Sequence, residues 1–261
     1  MKKKYLLLSF IIILSIIILI IVRWHKAGRQ EVVAERKKSD HLNISIIGDS
    51  YVEGGKLDTI ISNFLLKRDK RAIIFSSGQG GANSRLIYEN LFLDTSDRNS
   101  SNKVFHNGTK YCVVIAGVND AAGQYGASFY SYHMILIIRA LLNDNIKPVI
   151  VTLPEFGIQD MENNFSLYKK TRNEIFGYFT GNGFSNTIND YRKHFSLELI
   201  KQKLVDSVIL VDYNNIITNY QANKSLFENP AHLNLAGRQK LGREIAKSIL
   251  VNINRNHLQY Q

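Results

Sequence analysis

Four short segments of this chain hold the residue types that acyl-group chemistry needs. The first is Gly48-Asp49-Ser50, directly after the run Ile44–Ile47. A serine hydroxyl is a weak nucleophile until a neighbouring base removes its proton. The second is Gly78-Gln79-Gly80-Gly81. A glycine has no Cβ, so a substrate can approach its N–H closely. The third is Gly117-Val118-Asn119-Asp120. An asparagine amide there can donate to a developing oxyanion without changing charge. The fourth is His232, within Asn229-Pro230-Ala231-His232-Leu233-Asn234 and just ahead of the last periodic stretch. A histidine in that place is a candidate base for the serine. Each segment alone also fits an ordinary turn, cap or loop.

For these segments to meet, the fold must bring them to one end of a sheet. Five apolar, often β-branched runs read as strands buried on both faces: Asn43–Gly48, Ala72–Ser76, Tyr111–Ala116, Pro148–Leu153 and Ser207–Asp212. Between and after them, stretches near 55–68, 83–93, 127–145, 163–180, 190–204 and 234–251 read as helices. The alternation predicts an α/β domain, a three-layer α/β/α sandwich around a five-stranded parallel sheet. Ligands bind such sheets at the carboxyl ends of the strands. Ser50, the glycine block and Asn119 each follow a predicted strand. The polar stretch 94–109 reads as a loop that overhangs this end.

The order Gly-Asp-Ser, glycine block, Gly-x-Asn-Asp, then His-Leu-Asn near the end resembles the SGNH hydrolase superfamily, the GDSL-type esterases. The resemblance spans nearly all of residues 43–250, and the segment Val151–Gly157 (VTLPEFG) adds to it. It implies a flavodoxin-like fold, a nucleophile at Ser50 and a base at His232. It also implies an oxyanion hole from the N–H groups of Ser50 and Gly81 and the Asn119 amide, with Gly78 the alternative if the glycine loop is shifted. Three positions depart from the family pattern. Asn229 stands three residues before the histidine, where the family usually has Asp; Tyr51 stands for the leucine after the serine; Ser76 stands for the block-two asparagine. An amide at 229 can hydrogen-bond the imidazole but offers it no negative charge. Glu228, adjacent in sequence, is an acid that could substitute, although its side chain should point elsewhere.

Composition narrows the classes. Apolar residues make up 45% and charged residues 21%, which suits a globular core. Cys112 is the single cysteine, so no internal disulfide forms; its apolar setting predicts a buried thiol. No CxxC or HExxH spacing occurs, and neither a metal nor another cofactor is expected. The net charge is +11, with nine Lys/Arg against three Asp/Glu in residues 1–40. That excess suits membrane topology and lipid headgroups, and no nucleic-acid recognition motif accompanies it. Residues 5–22 (YLLLSFIIILSIIILIIV) are uncharged and long enough for one transmembrane helix. The exit Arg23-Trp24-His25-Lys26 is a poor cleavage site, which favours an uncleaved signal anchor over a signal peptide. The expected organisation is an anchor over 1–26, a tether over 27–41 and a hydrolase domain over 42–261, outside the cytoplasm.

The expected activity is hydrolysis of small acyl esters, such as acetyl, on an envelope or surface glycan through a Ser50 acyl-enzyme. Three alternatives stand beside it. An O-acyltransferase would use the same residues. A lipid esterase would need an apolar acyl pocket. A non-catalytic glycan-binding protein is the reading that Asn229 motivates.

Overall fold

The computed structural model describes residues 41–54, 56–180 and 187–258. The anchor and tether expected over 1–41 lie outside the described residues, apart from His41. Among those described, no helix is long and apolar enough to cross a membrane.

The domain alternates strand and helix along the chain. β1 (Leu42–Gly48) is followed by the single turn α1 (Ser50–Glu53) and by α2 (Leu57–Leu66). Next come β2 (Ala72–Gly78), α3 (Ser84–Asn90), the short α4 (Lys103–His106) and β3 (Tyr111–Ile115). α5 (Val118–Ala122) and the long α6 (Ala127–Asn143) lead to β4 (Lys147–Val151). α7 (Ile158–Asn163), α8 (Leu167–Thr180) and α9 (Ile188–Lys201) precede β5 (Ile209–Val211). A small hairpin, β6 (Phe227–Asn229) and β7 (His232–Leu233), then leads into α10 (Leu235–Leu258).

The five main strands form one parallel sheet in the order β2-β1-β3-β4-β5. This order reverses direction at β1, since β1 pairs with both β2 and β3. Every residue of β3 is buried, as expected of a central strand covered on both faces. α2 and α10 pack together on one side of the sheet, while α3 and α9 pack against α6 on the other. The expected three-layer sandwich is therefore the observed one.

Several expectations needed revision. β2 and β5 are not buried on both faces: they are the edge strands of the sheet, with no residue of β2 and only Val211 of β5 buried. The stretch 94–109 is not all overhanging loop, since it holds α4 and buries Ser100, Ser101, Asn102, Val104 and Phe105. The helix expected near 163–180 is one helix that starts at Leu167, where the Ser166 hydroxyl accepts from the Lys169 N–H, and a separate short helix, α7, precedes it across Asn164–Ser166. The hairpin β6–β7 was not anticipated. Its strands are three and two residues long, too short for periodicity to register. Cys112 is fully buried, as expected, and desolvation pushes its thiol up, away from reactivity.

Candidate active site

Ser50 follows β1 because the chain turns there into α1. Asp49 caps that turn: its carboxylate accepts the N–H of Tyr51 at 2.9 Å. The cap is completely buried, and its second carboxylate oxygen has no partner. Burial, reinforced by the charge of Asp120, pushes Asp49 up to about 7.

His232 reaches Ser50 from a part of the chain 182 residues away, with Nε2 2.9 Å from the serine Oγ. The hairpin that carries it is closed by Asn229. Its Oδ1 accepts the backbone N–H of Ala231 at 3.0 Å and of His232 at 3.0 Å, and lies 2.9 Å from His232 Nδ1. Two backbone donors fix which end of the amide faces the ring. An oxygen there can only accept, so Nδ1 must carry its hydrogen and Nε2 presents its lone pair to the serine hydroxyl. Asn229 thus sets tautomer and orientation without a charge. Glu228 does not substitute for it, since its carboxylate pairs with Arg238 at 3.0 Å. The Tyr51 ring lies beside the imidazole, with centroids 6.3 Å apart.

The glycine block distinguishes Gly81 from Gly78. A Cβ on Gly78 would sit 2.3 Å from the Glu53 backbone nitrogen, so Gly78 is required by the packing of β2 against α1. Gly81 has φ +77° and open space where a Cβ would point. Among the described residues, the N–H groups of Ser50 and Gly81 donate to no protein acceptor. The Asn119 amide, at the start of α5, donates to the Ala82 carbonyl at 2.9 Å and so ties the glycine loop to the end of β3. Its second amide hydrogen is left for another acceptor.

Asp49 and Asp120 sit inside the motifs, yet residue reasoning gave neither a role. Asp120 is buried and accepts both the N–H and the hydroxyl of Ser84, at 2.9 and 2.6 Å, which fastens α3 to α5. Burial pushes it up to about 6 despite those bonds. Their signal was an acid placed between strand-end residues, where a solvated acid would be unexceptional. On a third side, Glu155 after β4 meets Arg192 of α9 at 3.4 Å, and the Arg192 Nε donates to the Leu153 carbonyl at 2.8 Å. Among the described residues no cluster of His, Cys, Asp and Glu has the arrangement of a metal site.

No family model matches the sequence, and no curated protein does. Solved structures do match in fold. A lipase/acylhydrolase from Enterococcus faecalis aligns with TM-score 0.57 at 14% identity, over 80% of this chain and 95% of that one. An acetylxylan esterase from Geobacillus stearothermophilus aligns with TM-score 0.54 at 14% identity, over 82% and 96%. A GDSL-like lipase from Bacteroides thetaiotaomicron aligns with TM-score 0.52 at 13% identity, over 80% and 88%. With its strand order, its Ser50–His232 contact and these neighbours together, the chain has the fold of the SGNH, or GDSL-type, hydrolases.

Proposed function

We propose that this protein is a serine ester hydrolase that removes small acyl groups, such as acetyl, from a glycan at or outside the cell membrane. The observation that carries the reading is the chain Ser50 Oγ, His232 Nε2 and Nδ1, Asn229 Oδ1, with both contacts at 2.9 Å. His232 Nε2 takes the hydroxyl proton as Ser50 Oγ forms a bond to the ester carbon. The negative charge moves to the carbonyl oxygen, and the N–H groups of Ser50 and Gly81 and the free hydrogen of the Asn119 amide are the donors assigned to it. His232 returns the proton to the leaving alkoxide as the ester C–O bond breaks. Water then attacks the acyl-enzyme, giving a proton to His232 and releasing the acid and Ser50. The acetylxylan esterase among the structural neighbours supports the choice of a small acyl group on a glycan.

A fluorophosphonate probe tests the nucleophile. It labels the wild-type protein at Ser50 and leaves Ser50→Ala unlabelled and inactive on aryl acetates. Labelling elsewhere, or undiminished hydrolysis by Ser50→Ala, overturns the assignment. The membrane location rests on residues 5–22 and the poor cleavage site after them. Amino-terminal sequencing of the mature protein is expected to find those residues retained; a start beyond residue 23 refutes the anchor.

A further inference from the structure

α8 (Leu167–Thr180) is an amphipathic helix turned the wrong way round. At 100° per residue, Leu167, Tyr168, Thr171, Ile175, Tyr178 and Phe179 fall on one arc of about 120°. A surface helix normally turns such an arc to the core. Here the five large side chains on it are between 50% and 81% exposed. The opposite side is the one that packs: Asn173 and Gly177 are buried, and the Asn173 amide donates to the Ala122 carbonyl at 2.8 Å. Exposing so much contiguous aromatic and aliphatic surface costs free energy in water, and such patches mark surfaces that meet a partner.

Charge and position favour one partner. Arg172 lies just past one edge of the arc; Glu174, the single acid of α8, lies just past the other, with Lys170 beyond it and Lys169 behind. Apolar and tyrosine side chains flanked by cations are the composition of helices that lie in a bilayer interface. Residues 23–40, between the apolar segment and the described domain, reach at most roughly 60 Å, so an anchored domain stays within that distance of the lipid headgroups. α8 also lies at the site end of the sheet. It follows the loop that leaves β4, and through Asn173 it packs on α5, the helix that carries Asn119.

We infer that the outward face of α8, formed by Leu167, Tyr168, Ile175, Tyr178 and Phe179, docks onto an anionic lipid bilayer. Docking holds the strand-end site at the membrane surface, so the esters it meets are those displayed close to the headgroups. The inference rests on the anchor proposed above and is independent of the chemistry at Ser50.

The test uses the full chain in vesicles of phosphatidylcholine and phosphatidylglycerol, with an environment-sensitive fluorophore on Thr171→Cys, at the centre of the arc. Cys112 is buried and does not compete for the label. A second label on Lys67→Cys, past the end of α2 and at the other end of the sheet, is the reference. The expected result is co-flotation, quenching of the 171 label but not the 67 label by brominated lipid, and weaker quenching at high salt. Replacing Leu167, Ile175 and Phe179 with Gln, all exposed, is expected to abolish most of that quenching while the chain still floats. If the chain floats and the 171 label remains open to aqueous iodide, the docking face is refuted and the anchor stands. If iodide is excluded yet brominated lipid does not quench, a protein segment or a second copy covers the face, and the inference is also refuted. If the chain does not float at all, anchor and docking face fall together.

Discussion

Replacing Asn229 by Asp puts the geometry of the base to a direct test. The Asn229 Oδ1 accepts three N–H groups at 2.9–3.0 Å, two from the backbone and one from the imidazole. A carboxylate oxygen in the same place accepts all three. The residue is exposed, so the second carboxylate oxygen faces solvent at little desolvation cost. The hairpin is therefore kept, and the change adds only a negative charge about 4 Å from the centre of the imidazolium that forms as Ser50 attacks. That attraction is about 1 kcal/mol if water screens it fully and about 4 kcal/mol at an effective dielectric of ~20. Exposure places this site toward the lower value. It acts only when the ring is charged, so it lowers the barrier and not the ground state. The expected gain in kcat on an aryl acetate is about tenfold, or ~1.4 kcal/mol. The assay is steady-state hydrolysis by wild type and Asn229→Asp, with circular dichroism to confirm equal folding. A folded Asn229→Asp variant slower than wild type would refute the reasoning. It would mean that the amide nitrogen donates a bond that catalysis needs and that the ring is held by another group.

Two further predictions concern the strand ends. Asn119→Ala removes both a candidate oxyanion donor and the bond that ties the glycine loop to α5; kcat/KM is expected to fall about a hundredfold, or ~3 kcal/mol, with Ser50 still labelled slowly by a fluorophosphonate. Asp49 is raised from an ordinary 3.8 to about 7, so between those pH values the folded state keeps a proton that the unfolded state has released. Its contribution to stability is full below about pH 4, declines as pH rises to about 7, and is then constant, with a slope of at most ~1.4 kcal/mol per pH unit. Urea midpoints of wild type should fall across that window and those of Asp49→Asn should fall less; equal slopes would show that Asp49 is not the group responsible.

Much of the architecture was legible in the sequence because it rests on local chemistry. Five runs of β-branched and aliphatic residues, each about one buried strand long and separated by helical stretches, determine a parallel α/β sheet almost by themselves. Ser50, Gly81 and Asn119 could be placed near one another because each follows such a strand, and a parallel sheet puts all its strand ends on one side. Sequence could also name His232, by its order after the other motifs, but not how it arrives. Its contact with Ser50 depends on a hairpin too short to show a period, closed by a side chain that accepts its own backbone. The fate of Glu228 was equally hidden, since only the folded chain brings Arg238 close enough to take it. Tertiary structure alone raised the buried Asp49 and Asp120, because desolvation is a property of the surroundings and not of the residue. It alone turned the apolar arc of α8 outward as well: the helical period says that a face exists, and only the packing of Asn173 and Gly177 says which way it looks.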